Sequence, residues 1–200
     1  MTRIIIFAKA PRAGFAKTRL IPALGPEGAA KLAHRMLQHA LSCAAEAAIG
    51  QTELRITPEI TAPEWVGTEI GPGIEITDQG SGDLGERLAR AAQRLIGQGE
   101  PVLLIGTDCA EMSAALLRDA AAALKQKDAV IYPAADGGYV LLGLAKFHSH
   151  LFCGISWGSE SVARETIERV HRLGWSLGVG PLLHDIDGPG DLQHVPEGWL

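Results

Sequence analysis

The sequence has few of the features that mark disulfide-rich, membrane or nucleic-acid-binding proteins. Its three cysteines, Cys43, Cys109 and Cys153, are far apart and form no CxxC pair, which argues against a disulfide framework or zinc ribbon and favours a reducing compartment. No apolar run approaches the ~18 residues of a membrane span, and the opening run is too short for a signal peptide. The net charge of −5 does not indicate nucleic acid or an anionic membrane as a partner. We therefore expect a soluble cytoplasmic protein.

Common nucleotide-binding and hydrolytic motifs are also missing. A Walker A motif needs glycine directly before its Lys-Thr pair, but Ala16 precedes Lys17 and Thr18. No GxGxxG follows the first apolar run, which argues against a Rossmann dinucleotide site. No GxSxG provides the nucleophile of a serine hydrolase. The acidic segment near the C-terminus is not an EF-hand loop, because Pro189 stands at a ligand position.

Short apolar runs alternate with longer, mostly Ala/Leu-rich segments. The runs predict strands over 3–8, 53–57, 73–77, 101–108, 128–133, 138–144 (or a hairpin arm there) and 175–179. The longer segments predict helices over 26–50, from a capping box at Asp83 to 97, from Ser113, and over 159–174, with Ser113 and Ser161 as ordinary helix-start residues. This alternation predicts one α/β domain over residues 1–200, a three-layer sandwich whose mixed, mostly parallel sheet has helices on both faces.

A cationic loop follows the first predicted strand. Lys9, Arg12, Lys17 and Arg19 lie close together next to Gly14, in an otherwise acidic protein. Cations and backbone N–H groups near a helix start are what a di- or triphosphate requires. The alternative is a solvated basic turn. Because ligands of open α/β sheets bind at the carboxyl ends of the strands, this loop is a candidate phosphate site.

Acidic residues follow other predicted strands. Asp108 ends the most apolar strand, after Gly106 and Thr107, and such a carboxylate suits Mg²⁺, which takes one or two protein carboxylates and completes its shell with phosphates and water. The alternative is an Asp that caps a helix or braces a loop. Asp185 and Asp187, near the C-terminus, provide candidate second ligands or form a simple turn.

Paired glycines follow Asp136. They allow the backbone to approach a ligand closely, and Asp136 is suited to bind a hydroxyl group or to act as a base. A tight hairpin built on Asp-Gly explains the same residues equally well.

Taken together, these segments resemble the nucleotide-diphospho-sugar transferase superfamily with the glycosyltransferase-A fold, in particular the radical-SAM/selenodomain-associated transferase 1 family. The resemblance rests on FAKAPR at 7–12, KTRL at 17–20, GDLGERL at 82–88, GTDC at 106–109, DGGYVLLGL at 136–144 and DID at 185–187. These segments occur in the expected order and span nearly the whole chain. The KTRL segment also resembles that of phospholactate guanylyltransferases and molybdenum-cofactor nucleotidyltransferases.

The resemblance implies roles for individual residues. The nucleotide-binding set it implies is Ala8, Lys9, Gly14, Lys17, Arg19, Gly82, Asp83, Arg87 and Thr107. Within that set Lys17 and Arg19 would hold phosphates. Asp108 and Asp187 would bind Mg²⁺ or Mn²⁺, with Asp185 as a rival of Asp187. Asp108, Lys17, Arg19 and Asp136 would form the catalytic set, with Asp136 facing the acceptor.

Two positions depart from the family pattern. Ala110 stands where proline is expected, and Gly188-Pro189-Gly190 replaces the usual Thr-Pro-Glu after the late acid. The second change removes an acid and predicts a looser turn around Asp187.

The expected function is a metal-dependent transferase that uses an activated nucleotide and a small-molecule acceptor. The donor is either a nucleotide-sugar, with a nucleoside diphosphate as leaving group, or a nucleoside triphosphate that releases pyrophosphate. A non-catalytic protein that binds nucleotides or sugar phosphates and a metal-dependent phosphohydrolase are the alternatives from other classes. A homo-oligomer is compatible with the sequence.

Overall fold

Seven strands and four α-helices make up the chain in the computed structural model, which describes all 200 residues. The strands are β1 (Arg3–Lys9), β2 (Thr52–Thr57), β3 (Glu75–Asp78), β4 (Val102–Ile105), β5 (Ala129–Pro133), β6 (Tyr139–Leu144) and β7 (Leu177–Val179). The helices are α1 (Ile21–Ala47), α2 (Leu84–Ile96), α3 (Ala114–Ala123) and α4 (Val162–Arg172). None of the helices is long and apolar enough to cross a membrane.

All seven strands belong to one sheet, in the order β3-β2-β1-β4-β6-β5-β7. β6 runs antiparallel to both of its neighbours, β4 and β5, whereas every other pair is parallel. The mixed, mostly parallel sheet is therefore confirmed. The segment at 138–144 is both a strand and the second arm of a hairpin, because β6 pairs directly with β5.

Both faces of the sheet are covered, as the alternation of strands and helices predicts. The successive isoleucines of β1 show the period-two pattern of a strand: Ile4 and Ile6 join a core of 28 buried residues with α1 and α3. Ile5 points the other way and joins a core of 15 residues with α2 and α4. The three isoleucines are fully buried, which explains the continuous apolar run.

Several boundaries differ from the sequence prediction. The strand predicted over 101–108 ends at Ile105, the last residue paired with both β1 and β6, and Gly106, Thr107 and Asp108 form a loop. The first helix begins before Pro26, with a kink at Gly25 where φ is 68°. The last helix begins at Val162 rather than at 159.

The residues at the helix starts test the predictions about helix capping. The capping box at Asp83 is confirmed, since its side chain accepts a hydrogen bond from the Glu86 N–H (2.8 Å) and Glu86 accepts one from the Asp83 N–H (2.9 Å). Ser113 also caps its helix as expected, by accepting from Leu116 N–H. Ser161 is also a helix-start residue, directly before α4, but its side chain makes no capping hydrogen bond.

Candidate active site

A cavity of about 570 Å³ opens at the carboxyl ends of β1, β2 and β4 and beside the start of β6. Because β6 is antiparallel to its neighbours, its first residues lie at the same edge of the sheet as the last residues of β4. The predicted site residues that line it are Ala8, Lys9, Lys17, Arg19, Thr107, Asp108, Asp136, Asp185 and Asp187. The structure thus brings together segments from both ends of the chain in one pocket.

Lys17 lies at the centre of this pocket and connects the two predicted metal ligands. Its Nζ is 2.6 Å from Asp108 Oδ1 and 2.9 Å from Asp187 Oδ1, and it donates to the Ile186 carbonyl at 2.6 Å. The side chain is only 7% exposed. Burial disfavours the charged form of Lys17, but the two carboxylates outweigh it and raise its pKa. The ammonium therefore stays charged between two acids.

Ile186 connects the segment that carries Asp187 to the loop that carries Asp108. Its N–H donates to the Asp108 carbonyl (2.8 Å), and its side chain is fully buried in a cluster with Leu20 and Ala110. The C-terminal segment is thereby fixed to the loop after β4 and to the end of the cationic loop. Ala110, which departs from the family pattern, is part of this packing.

The turn after Asp187 is not loosened by the departure at 188–190. The Asp191 carboxylate accepts hydrogen bonds from the backbone N–H groups of Asp187 (3.0 Å) and Gly188 (2.7 Å). An acid three residues after Gly188 therefore braces the turn from inside. The expectation of a looser turn is wrong.

Asp185 is one of the four aspartates that line the cavity, and its carboxylate is partly buried. Burial, followed by the negative charges of Asp136, Asp108 and Asp187, raises its pKa to about 7, and Lys17 opposes this shift. Its Oδ1 is buried without a hydrogen-bond partner. Asp187, in contrast, is half-exposed and paired with Lys17.

The raised pKa of Asp185 predicts a pH-dependent stability. The folded-state pKa lies above the ordinary value of ~3.9, so the stability contribution is complete below pH ~4 and is lost as pH rises through 7. We expect Asp185→Asn to be more stable than the wild type at pH 8 by about 1–3 kcal/mol, with a smaller difference at pH 5. Urea unfolding in EDTA at both pH values measures this, and a gain that is equal at both would contradict it.

Asp136 closes the predicted hairpin and also lines the cavity. Its Oδ1 accepts a hydrogen bond from Gly138 N–H at 2.8 Å, which closes the hairpin between β5 and β6, and its side chain also lines the cavity. Gly137 has φ of 91°, and a Cβ added there would lie 2.1 Å from the Glu160 carbonyl oxygen. This close approach holds the hairpin against the segment that leads into α4.

The cationic loop divides into two parts. Lys9 and Arg19 are exposed and line the cavity, with Lys9 Nζ 4.3 Å from the centre of the Phe15 ring. Arg12 turns away and donates to the Pro63 carbonyl, and Gly14 does not line the cavity. The solvated-turn alternative therefore describes Arg12, whereas Lys9, Lys17 and Arg19 face the pocket.

The predicted residues Gly82, Asp83 and Arg87 do not line the cavity, although Leu84 of the same segment does. Arg87 donates from Nη1 to Gln79 Oε1 (3.1 Å) and from Nε to the Gly82 carbonyl (2.9 Å), while Asp83 caps α2. Gln79 does line the cavity, and its Nε2 donates to the carbonyls of Ala8 and Arg55. Arg87 is thus connected to the pocket through Gln79.

The lining residues that the sequence reasoning missed include Gln79, Trp157 and Ser159. Trp157 packs edge-on against Tyr139, with the ring centres 6.4 Å apart, and burial raises the pKa of Tyr139. Gln79 directly follows β3, a strand end that signals a ligand site in an α/β sheet. Trp157 and Ser159 lie in a loop before α4 and carried no signal beyond that of a helix start.

The residues of the pocket fit a divalent cation. Asp185 is surrounded by the negative charges of Asp136, Asp108 and Asp187, and its Oδ1 is a buried oxygen without a partner. Carboxylate oxygens are the ligands that Mg²⁺ and Mn²⁺ prefer. No three acidic, histidine or cysteine side chains are arranged around a common point, and Lys17 lies between the two candidate ligands.

Comparisons with known proteins agree on the fold. Residues 36–159 match the family model described as "Uncharacterized protein conserved in bacteria (DUF2064)". The chain is 32% identical to a candidate nucleotide-diphospho-sugar transferase from Desulfovibrio desulfuricans G20, with a TM-score of 0.88 over 96% of this chain and 85% of that chain. No curated protein matches the chain.

Two more distant structures share the fold. A nucleotidyl transferase from a Methanothermobacter species has a TM-score of 0.65 and 15% identity, over 99% of this chain and 97% of that chain. Rv0371c of Mycobacterium tuberculosis H37Rv, in complex with manganese, has a TM-score of 0.55 and 16% identity, over 99% of this chain and 100% of that chain.

Proposed function

The chain belongs to the DUF2064 family of bacterial proteins and has the fold of nucleotide-diphospho-sugar transferases, and from this we propose that it transfers a group from an activated nucleotide to a small acceptor. The observation that carries the proposal is the convergence of Lys17, Asp108 and Asp187 in one cavity. We further propose that residues 1–200 act as one domain with a nucleotide-sugar as donor.

Phosphate binding is assigned to the cations of the first loop. Lys9 and Arg19 are exposed at the cavity and free to pair with a diphosphate. Charge-assisted hydrogen bonds of this kind are among the strong ones in proteins. Thr107, in the loop after β4, also lines the cavity.

Asp108 and Asp187 would hold Mg²⁺ or Mn²⁺, with Asp185 next to them. When bound, such an ion neutralises charge on the pyrophosphate and so stabilises the leaving group. Support for a metal comes from the proximity of the carboxylates to one another and from the manganese complex of the distant Rv0371c protein. Without the ion, Lys17 keeps the two carboxylates close together.

The acceptor is assigned to Asp136, in the hairpin between β5 and β6. Its Oδ1 is held by the Gly138 N–H, which fixes the carboxylate while the group still faces the pocket. A fixed carboxylate is suited to remove the proton from an attacking hydroxyl group, a contribution of typically 10²–10⁴-fold to the rate.

We assign the base and ribose of the nucleotide to the side of the cavity next to Gly82–Arg87. Arg87 fixes Gln79, whose amide holds the Ala8 carbonyl at the end of β1. In this proposal Gln79 contacts the nucleoside, while Gly82, Asp83 and Arg87 position it. Gly14 has a supporting role in the turn of the cationic loop, where its φ is 74°.

Nucleotidyl transfer from a nucleoside triphosphate is the second candidate. Three cations, Lys9, Lys17 and Arg19, line the cavity, which suits a triphosphate as well as a diphosphate. Product analysis separates the two reactions, because nucleotidyl transfer releases pyrophosphate and glycosyl transfer releases a nucleoside diphosphate.

A thermal-shift screen of nucleoside diphosphates, triphosphates and nucleotide-sugars, each with Mg²⁺, Mn²⁺ or EDTA, tests the proposal. A ligand at 100 times its Kd adds about 2.7 kcal/mol to the apparent stability, so the preferred nucleotide should stand out and should need the metal. Stabilisation without turnover of any acceptor would favour a binding protein. Release of inorganic phosphate from simple esters, undiminished in Asp108→Ala, would favour a phosphohydrolase.

A further inference from the structure

Three side chains form a hydrogen-bonded chain that begins at the wall of the cavity. Ser159 lines the cavity, and its Oγ is 2.9 Å from Ser161 Oγ. Ser161 Oγ in turn donates to Glu165 Oε1 at 2.6 Å. Arg169 lies beside the far oxygen of Glu165, with Nη2 3.7 Å from Oε2. The chain therefore runs from the pocket to an ion pair on α4.

The number of protons fixes the direction of these hydrogen bonds. An ionised carboxylate only accepts, and a serine hydroxyl has one proton to donate. Because Ser161 gives its proton to Glu165, the bond between the two serines must use the proton of Ser159. Ser159 is left with unused lone pairs, which no protein donor contacts.

We propose that Ser159 is a specificity-determining residue that accepts a hydrogen bond from a hydroxyl group of the bound ligand. The inference rests on the proposed function and narrows its substrate class. A group that can only accept, such as a carbonyl oxygen or an ether at the same place, would face the lone pairs of Ser159 and lose the contact. Because the Ser159 oxygen can only accept a hydrogen bond from the ligand, the site rejects ligand analogues that lack the donating hydroxyl group.

The position of Ser159 in the pocket indicates which part of the ligand it contacts. Ala163 N–H donates to the Gly137 carbonyl at 2.9 Å, so the segment that carries Ser159 and the hairpin that carries Asp136 are joined. The phosphate-binding cations belong to a different segment, the loop after β1. A ligand with a phosphate at one end and hydroxyl groups at the other would contact both the cations and Ser159. A hexose 1-phosphate is the simplest probe with that chemistry.

The test uses calorimetry with glucose 1-phosphate and its 2-, 3-, 4- and 6-deoxyfluoro analogues, in which fluorine replaces one donor at a time. We expect one analogue to bind about tenfold more weakly to the wild type, the size of one lost hydrogen bond. Ser159→Ala should bind glucose 1-phosphate about tenfold more weakly and lose the discrimination. Ser159→Thr should restore it, and Ser156→Ala, at an exposed serine of the same loop, should change nothing.

The Ser161→Ala variant tests whether Ser159 acts as a fixed hydrogen-bond acceptor or has only a structural role. It leaves the Ser159 hydroxyl in place but frees its proton, so the discrimination between glucose 1-phosphate and the weak analogue should shrink to less than threefold. Unchanged discrimination in Ser161→Ala, or equal binding of all four analogues to the wild type, would overturn the inference. Absence of glucose 1-phosphate binding would overturn it as well, while metal-dependent nucleotide binding in the same protein would leave the proposed function standing.

Discussion

Replacing Lys17 by methionine is expected to strengthen the binding of the metal ion and to weaken the binding of the nucleotide. Without nucleotide, Mn²⁺ should bind at least about tenfold more tightly than to the wild type, because the variant removes the ammonium that lies between Asp108 and Asp187. Nucleotide affinity should fall by about 1–3 kcal/mol, the range for a lost charge-assisted contact. Titration of Mn²⁺ by electron paramagnetic resonance and calorimetry with the preferred nucleotide measure the two effects.

The same variant should also change stability in a metal-dependent way. Removing one partner of a buried ion pair costs about 3–5 kcal/mol. Since both carboxylates are 47% exposed, we expect a loss of about 2 kcal/mol in EDTA, which saturating Mn²⁺ reverses.

Arg19→Met is the matched control for Lys17→Met. Arg19 is an exposed cation of the same cavity without an acidic partner, so the variant should weaken nucleotide binding without strengthening Mn²⁺ binding. Tighter Mn²⁺ binding in both variants would indicate a general charge effect. Unchanged Mn²⁺ affinity in Lys17→Met would show that the ammonium and the metal do not share the carboxylates.

Asp108→Asn is expected to abolish the metal dependence of nucleotide binding and to leave the fold intact. The residue is half-exposed in a loop, and asparagine retains its shape but not its charge. Loss of the metal's electrostatic stabilisation, worth several kcal/mol, should lower turnover by about 10²–10³-fold. Calorimetry with and without Mn²⁺, together with circular dichroism, checks this prediction, and an unfolded variant would identify Asp108 as a loop brace instead.

Asp136→Asn provides the contrast to Asp108→Asn. We expect metal-dependent nucleotide binding to be retained, because the cations and the Asp108–Asp187 pair are untouched, while turnover falls about 10²–10⁴-fold through loss of the base. If Asp136→Asn loses nucleotide binding and keeps turnover per bound nucleotide, the two carboxylates have been assigned in reverse.

Much of the fold follows from local rules in the sequence. The apolar run over 3–8 predicted β1 because a strand covered on both faces has no polar side to alternate with. The capping boxes and glycine stops placed α2 to within a residue. That the loop after β1 and the loop after β4 lie at the same edge also followed from topology, because the carboxyl ends of parallel strands meet there.

Strand ends and long-range contacts could not be predicted in the same way. The sequence predicts one strand over 101–108, and only the pairing with β1 and β6 shows that the strand stops at Ile105. The contact between Lys17 and Asp187 joins residues 170 positions apart and depends on how Ile186 packs in a cluster drawn from several segments. The serine and glutamate chain from Ser159 was hidden because two of its members resemble ordinary helix-start residues.

A crystal structure with Mn²⁺ and the preferred nucleotide, recorded at the manganese absorption edge, tests the central claim most directly. We predict an anomalous peak within ligand distance of both Asp108 and Asp187, with Lys17 moved from the carboxylates to a phosphate oxygen. A peak elsewhere, with Lys17 still bridging the two acids and the nucleotide away from the loop after β1, would contradict a shared site for metal and phosphate.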